Sequence, residues 1–308
     1  MIRFLAQKAL TLLLSLFCIV SLTFILMKVI PGDPFYNERI TSEVLASLHA
    51  YYGLDLPLAT QYLKVLKGFF TFDFGPSLVS SRTVNQIISD GFPISARLGL
   101  QTLLFSIPVG ILLGTWAALK KARWQDHAAM ALSTLGICIP NFVLASLLQY
   151  GVALKLHLLP VARWGTLAHT ILPTLALSML PIAFIARLTR TNLIEVLNQD
   201  YIRTARAKGL PPWRIAVVHG LRNALLPVLS YLGPVSAKIL TGSFVVERIF
   251  AIPGLGIWLI HAVSDRDYPV IMGIVIFYSM ILIFFIFLAD IAYSLLDPRI
   301  RLKGINAQ

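Results

Sequence analysis

The stretch Leu98-Gly-Leu-Gln-Thr-Leu-Leu-Phe-Ser-Ile-Pro-Val-Gly-Ile-Leu-Leu-Gly-Thr-Trp-Ala-Ala-Leu119 carries no charged residue and is bracketed by Arg97 and Lys120. As a helix it would cover about 33 Å, close to the hydrocarbon thickness of a bilayer. It lacks the polar stripe of a soluble amphipathic helix, so it reads as a membrane span. Five further runs share this character: Leu10–Met27, Ala128–Leu154, Leu167–Ala186, Ala224–Val246 and Pro269–Ala289. The composition agrees, because 13% of the residues are charged and 57% are hydrophobic, whereas soluble proteins carry about 25% charged residues. The expected fold class is an all-α integral membrane protein with six transmembrane helices.

The first run exceeds the 7–15 residues of a signal-peptide core, and Ile30-Pro31-Gly32-Asp33-Pro34 follows it where small residues would mark a cleavage site. It is expected to be a retained helix. With the N-terminus inside, the cytoplasmic segments hold 15 of the 26 basic residues. The outer segments hold ten, six of them in the long stretch from Lys28 to Arg97, where charge constrains topology weakly. Both termini are therefore expected in the cytoplasm, in a multi-pass membrane protein. The net charge of +12 needs no nucleic acid to explain it.

Three parts follow: residues 1–27, an outer segment 28–97, and a five-helix core 98–308. Turn signals in the outer segment predict short helices from Thr41 or Ser42 to His49, over Gln61–Phe69 and over Thr83–Ser89. Pro108, Pro140, Pro173, Pro181, Pro227 and Pro234 fall within the spans, where each frees a backbone carbonyl that neighbours or cavity water must satisfy. A bundle with an internal path fits them better than an inert anchor.

Phosphate-binding loops, zinc-protease and nucleophile-elbow motifs and paired Cys-x-x-Cys are absent. Cys18 and Cys138 lie in apolar runs without ligand spacing, so no metal is expected. His169 and intramembrane serines make only a thin case for a hydrolase. The cytoplasmic interval Arg187–Arg222 is more informative, with seven basic residues against Glu195 and Asp200. Within it Asp200 reads as an N-cap, Tyr201–Lys208 as helix, Gly209 as a left-handed C′ residue and Pro211-Pro212 as a stop. So short a helix needs a partner surface, and Ala205, Ala207 and Gly209 would let another backbone approach. A basic segment that only enforces topology is the plainer alternative.

Asp200–Gly209 followed by His219-Gly-Leu-Arg222-Asn223-Ala224-Leu-Leu-Pro227 resembles the cytoplasmic "EAA" loop of ABC importer membrane subunits, in the version of the dipeptide and oligopeptide permeases. The resemblance extends through Ile30–Pro34, Tyr52-Gly-Leu-Asp55, Asp73-Phe-Gly-Pro-Ser77, Pro253-Gly-Leu-Gly256, Arg266-Asp-Tyr-Pro269 and Asp297-Pro-Arg-Ile-Arg301. Pro34–Arg39 and Ser230–Pro234 are most similar to the oligopeptide permease B-subunit branch. The loop departs from the pattern at Asp200-Tyr201, in place of Glu-Ala, and at Gly220, where Ala is common. The resemblance implies a type I importer fold and a peptide substrate. Its implied partners are a second homologous permease subunit, two cytoplasmic ATPase subunits that bind the ATP and Mg, and an extracytoplasmic peptide-binding protein. It also implies that Asp200, Tyr201, Arg203, Thr204, Ala205, Arg206, Ala207, Lys208 and Gly209 couple ATPase motion to the spans. Nickel and glutathione importers use similar subunits; a self-sufficient secondary transporter is the more distant rival.

Lys238 is the one basic residue deep in a span, placed either to line a path or to snorkel outward. Tyr231 carries a polar tip on the same run. Glu247, ahead of Pro253-Gly-Leu-Gly256 on the outer side, is either part of a gate or a connector.

Overall fold

Thr83 starts the longest helix. Its Oγ1 accepts from the Gln86 N–H at 3.2 Å while Gln86 Oε1 accepts from the Thr83 N–H at 2.9 Å, a reciprocal pair that satisfies two free donors of the first turn. From there 36 residues run to Leu119. The structure is a computed structural model and describes residues 2–29, 47, 53 and 55–296. Helix α1 is Ile2–Val29, α2 is Leu58–Thr71 and α3 is Val84–Leu119. The expected helix Thr83–Ser89 is therefore the beginning of α3, continuous with the second span across residue 97. Helix α2 contains the expected Gln61–Phe69 helix, and the one from Thr41 or Ser42 to His49 lies outside the described residues.

The third run does not form one straight span. Helices α4 (Trp124–Cys138) and α5 (Asn141–Leu148) meet at a bend of 101°, and a π-helical turn, Gln149–Lys155, prolongs α5. Pro140 accounts for the break, since its ring excludes the preceding residue from helical conformation. Ile139 accordingly sits at φ −84°, ψ 117°.

Helix α6, Leu167–Val196, continues ten residues past the expected end at Ala186, so the first part of the expected cytoplasmic loop is helical. Helix α7 is Asp200–Ala207; short helical turns then cover Pro212–Ala224. Helix α8, Leu226–Leu240, stops at Thr241-Gly242, where Gly242 has φ +92°, before the short α9, Phe244–Ile249. The expected span Ala224–Val246 is thus interrupted. Helix α10 is Leu255–Ser264 and α11 is Tyr268–Leu296. Helices α3, α6, α11 and the stretch Leu226–Ile249 are each long and apolar enough to cross a membrane. With the bent α4–α5 pair and the apolar part of α1, Leu10–Leu26, all six expected runs have a helical counterpart.

Small residues draw the spans together, as expected where lipid removes the hydrophobic drive for helix association. Helices α3 and α6 meet at Gly110 and Gly114: a methyl group there would stand 2.7 Å from the Cβ atoms of Ile185 and Thr189 respectively. Leu98, Leu172, Ala176, Phe250 and Ile252 form a buried cluster between α3, α6 and the segment after α9. Tyr62 of α2 packs against Phe24 and lies 2.6 Å from Ser21 Oγ of α1. Ser77 Oγ donates to the Asp267 carboxylate, which also accepts from the Leu78 N–H at 3.2 Å, tying the outer segment to the start of α11.

Candidate functional site

Helix α7 is closed at its C-terminus by a full Schellman arrangement. The Gly209 N–H donates to Arg206 O at 2.9 Å and the Leu210 N–H to Ala205 O at 3.4 Å. Gly209 takes φ +76°, the left-handed conformation that a Cβ disfavours. Leu210 completes the motif by packing on Ile202, Ala205 and Ile215. At the other end Gln199, with ψ 154°, occupies the cap position and Asp200 is the first helical residue, one position from expectation. The Asp200 carboxylate pairs instead with Arg203 at 3.3 Å, with both side chains in solvent.

The inner face of α7 is Ile202 and Ala205, both buried. Ala205 therefore packs on its own chain and offers no approach to another. Tyr201, Arg203, Thr204, Arg206, Ala207, Lys208 and Gly209 are exposed, and a methyl group at Gly209 would meet nothing within 4 Å. Tyr201 fixes the helix to the following turns: its hydroxyl donates to His219 O at 3.3 Å and accepts from Asn223 Nδ2 at 2.9 Å. At Gly220, the departure from the family pattern, a Cβ would lie 2.7 Å from Leu193 Cδ1 of α6.

Two features beside α7 were invisible in the motif. Trp213, 63% exposed, and Val217 and Val218 present apolar side chains to the surface in the turns after α7; an aromatic flanked by Pro211-Pro212 and Arg214 is the only sequence sign of this. Asp126 at the start of α4 receives Arg190 of α6 in a two-point ion pair, Nε–Oδ1 2.5 Å and Nη2–Oδ2 2.7 Å, and also accepts from the Ala122 N–H at 3.0 Å. This brace joins α4 to α6 shortly before α7.

Toward the other end of α6, a cavity of about 430 Å³ opens between the α4–α5 break, α6, α8 and the start of α9. Lys238 and Tyr231 both line it, with Asn141, Pro181, Phe184, Pro234 and Phe244 among their neighbours. Tyr231 stacks on Phe184 with centroids 5.5 Å apart.

Glu247 does not face this cavity. Its side chain is fully buried, accepting from Ser95 Oγ at 2.8 Å and from the Gly256 N–H at 2.9 Å. Ser95 Oγ in turn accepts from the Leu255 N–H at 2.9 Å. A Cβ at Gly254 would stand 2.5 Å from both Glu247 Oε2 and Ser95 Oγ, and one at Gly256 would stand 2.7 Å from the Phe244 Cα. The glycines of the Pro253-Gly-Leu-Gly256 turn are the space in which the carboxylate sits. No cation among the described residues lies within ion-pair distance of it. His169 is likewise accounted for: its Nδ1 lies 2.9 Å from Thr166 Oγ1 at the start of α6.

A polytopic helical bundle with a lined cavity and a short, rigidly capped helix projecting between two spans defines a membrane transport component. Residues 110–302 match the family described as binding-protein-dependent transport system inner membrane component, and residues 1–99 match the N-terminal family of the same systems. The chain belongs to that family. It is 52% identical to the dipeptide transport system permease protein DppB of Bacillus subtilis, over 98% of this chain and 99% of the relative. It is 41% identical to the DppB protein of Lactococcus lactis and 41% identical to the oligopeptide transport system permease protein OppB of Escherichia coli, each over 98% of this chain and the whole relative.

Proposed function

We propose that this chain is a membrane permease subunit of an ATP-driven importer that carries dipeptides or short oligopeptides into the cytoplasm. The full-length likeness to permeases named for dipeptide and oligopeptide transport carries the substrate class. In this reading the chain pairs with a second homologous permease in the bilayer. Two cytoplasmic ATPase subunits bind ATP and Mg, and an extracytoplasmic binding protein delivers the peptide. Both termini and α7 face the cytoplasm, in keeping with the basic residues around α7. The exposed face of α7, from Asp200 to Gly209, docks into an ATPase, while Ile202 and Ala205 hold it to its own chain. A capped helix transmits displacement that a loop would absorb, and α6 and α8 on either side are the first to move. Lys238 and Tyr231 line the path, and the segment carrying Glu247 closes it on the outer side, as in rigid-body alternating access.

Reconstitution tests this reading. Proteoliposomes holding the complete importer should take up labelled dipeptide only with ATP, and this chain alone should neither hydrolyse ATP nor transport. Uptake by the chain alone would replace the reading with a secondary transporter, and ATP-driven uptake of nickel or glutathione but not dipeptide would replace the substrate. In intact cells a cysteine at Ser80 should react with an impermeant reagent and one at Lys121 should not; the reverse pattern would invert the topology and remove α7 from any cytoplasmic ATPase.

A further inference from the structure

Resting on the import reading above, we propose that Lys238 is a carboxylate-reading subsite of the path, holding the free terminal carboxylate of a short peptide in transit. Lys238 lies two residues before the end of α8 at Leu240, inside the apolar stretch Leu226–Ile249 that is long enough to cross a membrane. A cation without an anion is costly within such a stretch. The side chain lies on the cavity wall, and among the described residues no carboxylate is within ion-pair distance of it. Glu247, the acid nearest in sequence, is buried and committed to Ser95 and Gly256. The surrounding wall is largely apolar, with Pro181 and Val235 close by. A charge-assisted hydrogen bond is stronger there than in water.

The other end of the ligand also has a place. Tyr231, stacked on Phe184, is seven residues before Lys238 and lines the same cavity. Seven helical residues span about 10 Å, the reach of about three extended peptide residues. A peptide whose carboxylate sits on Lys238 therefore brings its terminal ammonium to two aromatic faces, which attract cations. The cavity thus favours short peptides with both termini free, their carboxylate toward the outer side.

The test compares one dipeptide as the free acid and as its C-terminal amide. Each is presented to the complete importer in proteoliposomes on binding protein shown by mass spectrometry to be loaded. The wild type should import the acid faster by about tenfold, the scale of one charged hydrogen bond. Lys238→Met and Lys238→Gln should bring the ratio to about one at normal membrane abundance, and Lys238→Arg should keep the preference. A wild type with no preference, a Met or Gln variant that retains it, or variants that slow acid and amide equally would each overturn the subsite. Equal slowing is the signature of a structural role or of pairing with a partner subunit's carboxylate. Failure of the import reading looks different, since the wild type would then import neither peptide on ATP.

Discussion

Helix α7 is held by bonds that reach no more than 22 residues along the chain, from Tyr201 to Asn223, whereas Glu247 of α9 is held by Ser95, 152 residues away. The first is a local unit, mostly exposed, with one apolar face against its own neighbours. The second is fully buried and joins elements that meet only in the finished fold. A helix of the first kind can shift with α6 and the turns after it while keeping its shape. The segment carrying Glu247 can shift only if its buried bond to Ser95 of α3 breaks. The two regions thus differ in kind, one held by local bonds and one by bonds that exist only in the whole fold.

That contrast yields graded expectations. Glu247→Ala strands the Ser95 hydroxyl and the Gly256 N–H in the interior and should have the largest effect, about 4 kcal/mol of lost stability, read as thermal unfolding of the purified protein. Glu247→Gln, which keeps one acceptor, should lose about half as much. Wild-type unfolding of the Ala variant would show that the carboxylate is a bystander and erase the contrast. Asp126→Ala leaves the Arg190 guanidinium without its partner and should cost about 3 kcal/mol by the same measurement. A neutral result there would mean that solvent replaces the carboxylate.

Gly209→Val places a β-branched residue at φ +76° and should strain α7 by about 2 kcal/mol without touching global unfolding. Its signature is functional: normal membrane abundance, weakened co-purification of the ATPase and loss of peptide uptake, with Gly209→Ala milder because open space surrounds the position. Retained association would reduce α7 to a topological anchor, and loss of the protein itself would mean that Gly209 serves folding. Tyr201→Phe should be smallest, below about 1 kcal/mol. Hydrogen exchange confined to 198–224 would register it, and protection lost elsewhere would show that α7 is less local than its bonds suggest.

The sequence disclosed what neighbouring residues decide. Uninterrupted apolar length revealed the six runs, Thr83 marked the start of α3, and Gly209 before Pro211-Pro212 marked the end of α7. It misplaced what depends on a second element. Pro140 signalled trouble in the third run, yet the 101° bend arises where α4 and α5 pack separately on α6. Ala205 looked like a docking residue because a small side chain suits either a partner or its own chain, and Ile215 decides between them. The Arg190–Asp126 brace and the Glu247–Ser95 bond cross 64 and 152 residues, and no local pattern announces either pairing.

Helix α3 is longer than the membrane needs, about 54 Å against a hydrocarbon core of about 30 Å, and the excess has a mechanical consequence. Gly110 and Gly114 press it against α6 toward its C-terminal end, so that they act as a fulcrum. Ser95 sits about 25 Å up the rod from that point. A tilt of about 5° at the fulcrum sweeps Ser95 through about 2 Å, enough to take a 2.8 Å hydrogen bond beyond its working range. Read as a lever, α3 turns a small angular adjustment at its C-terminal end into the parting of Ser95 from Glu247 at the other.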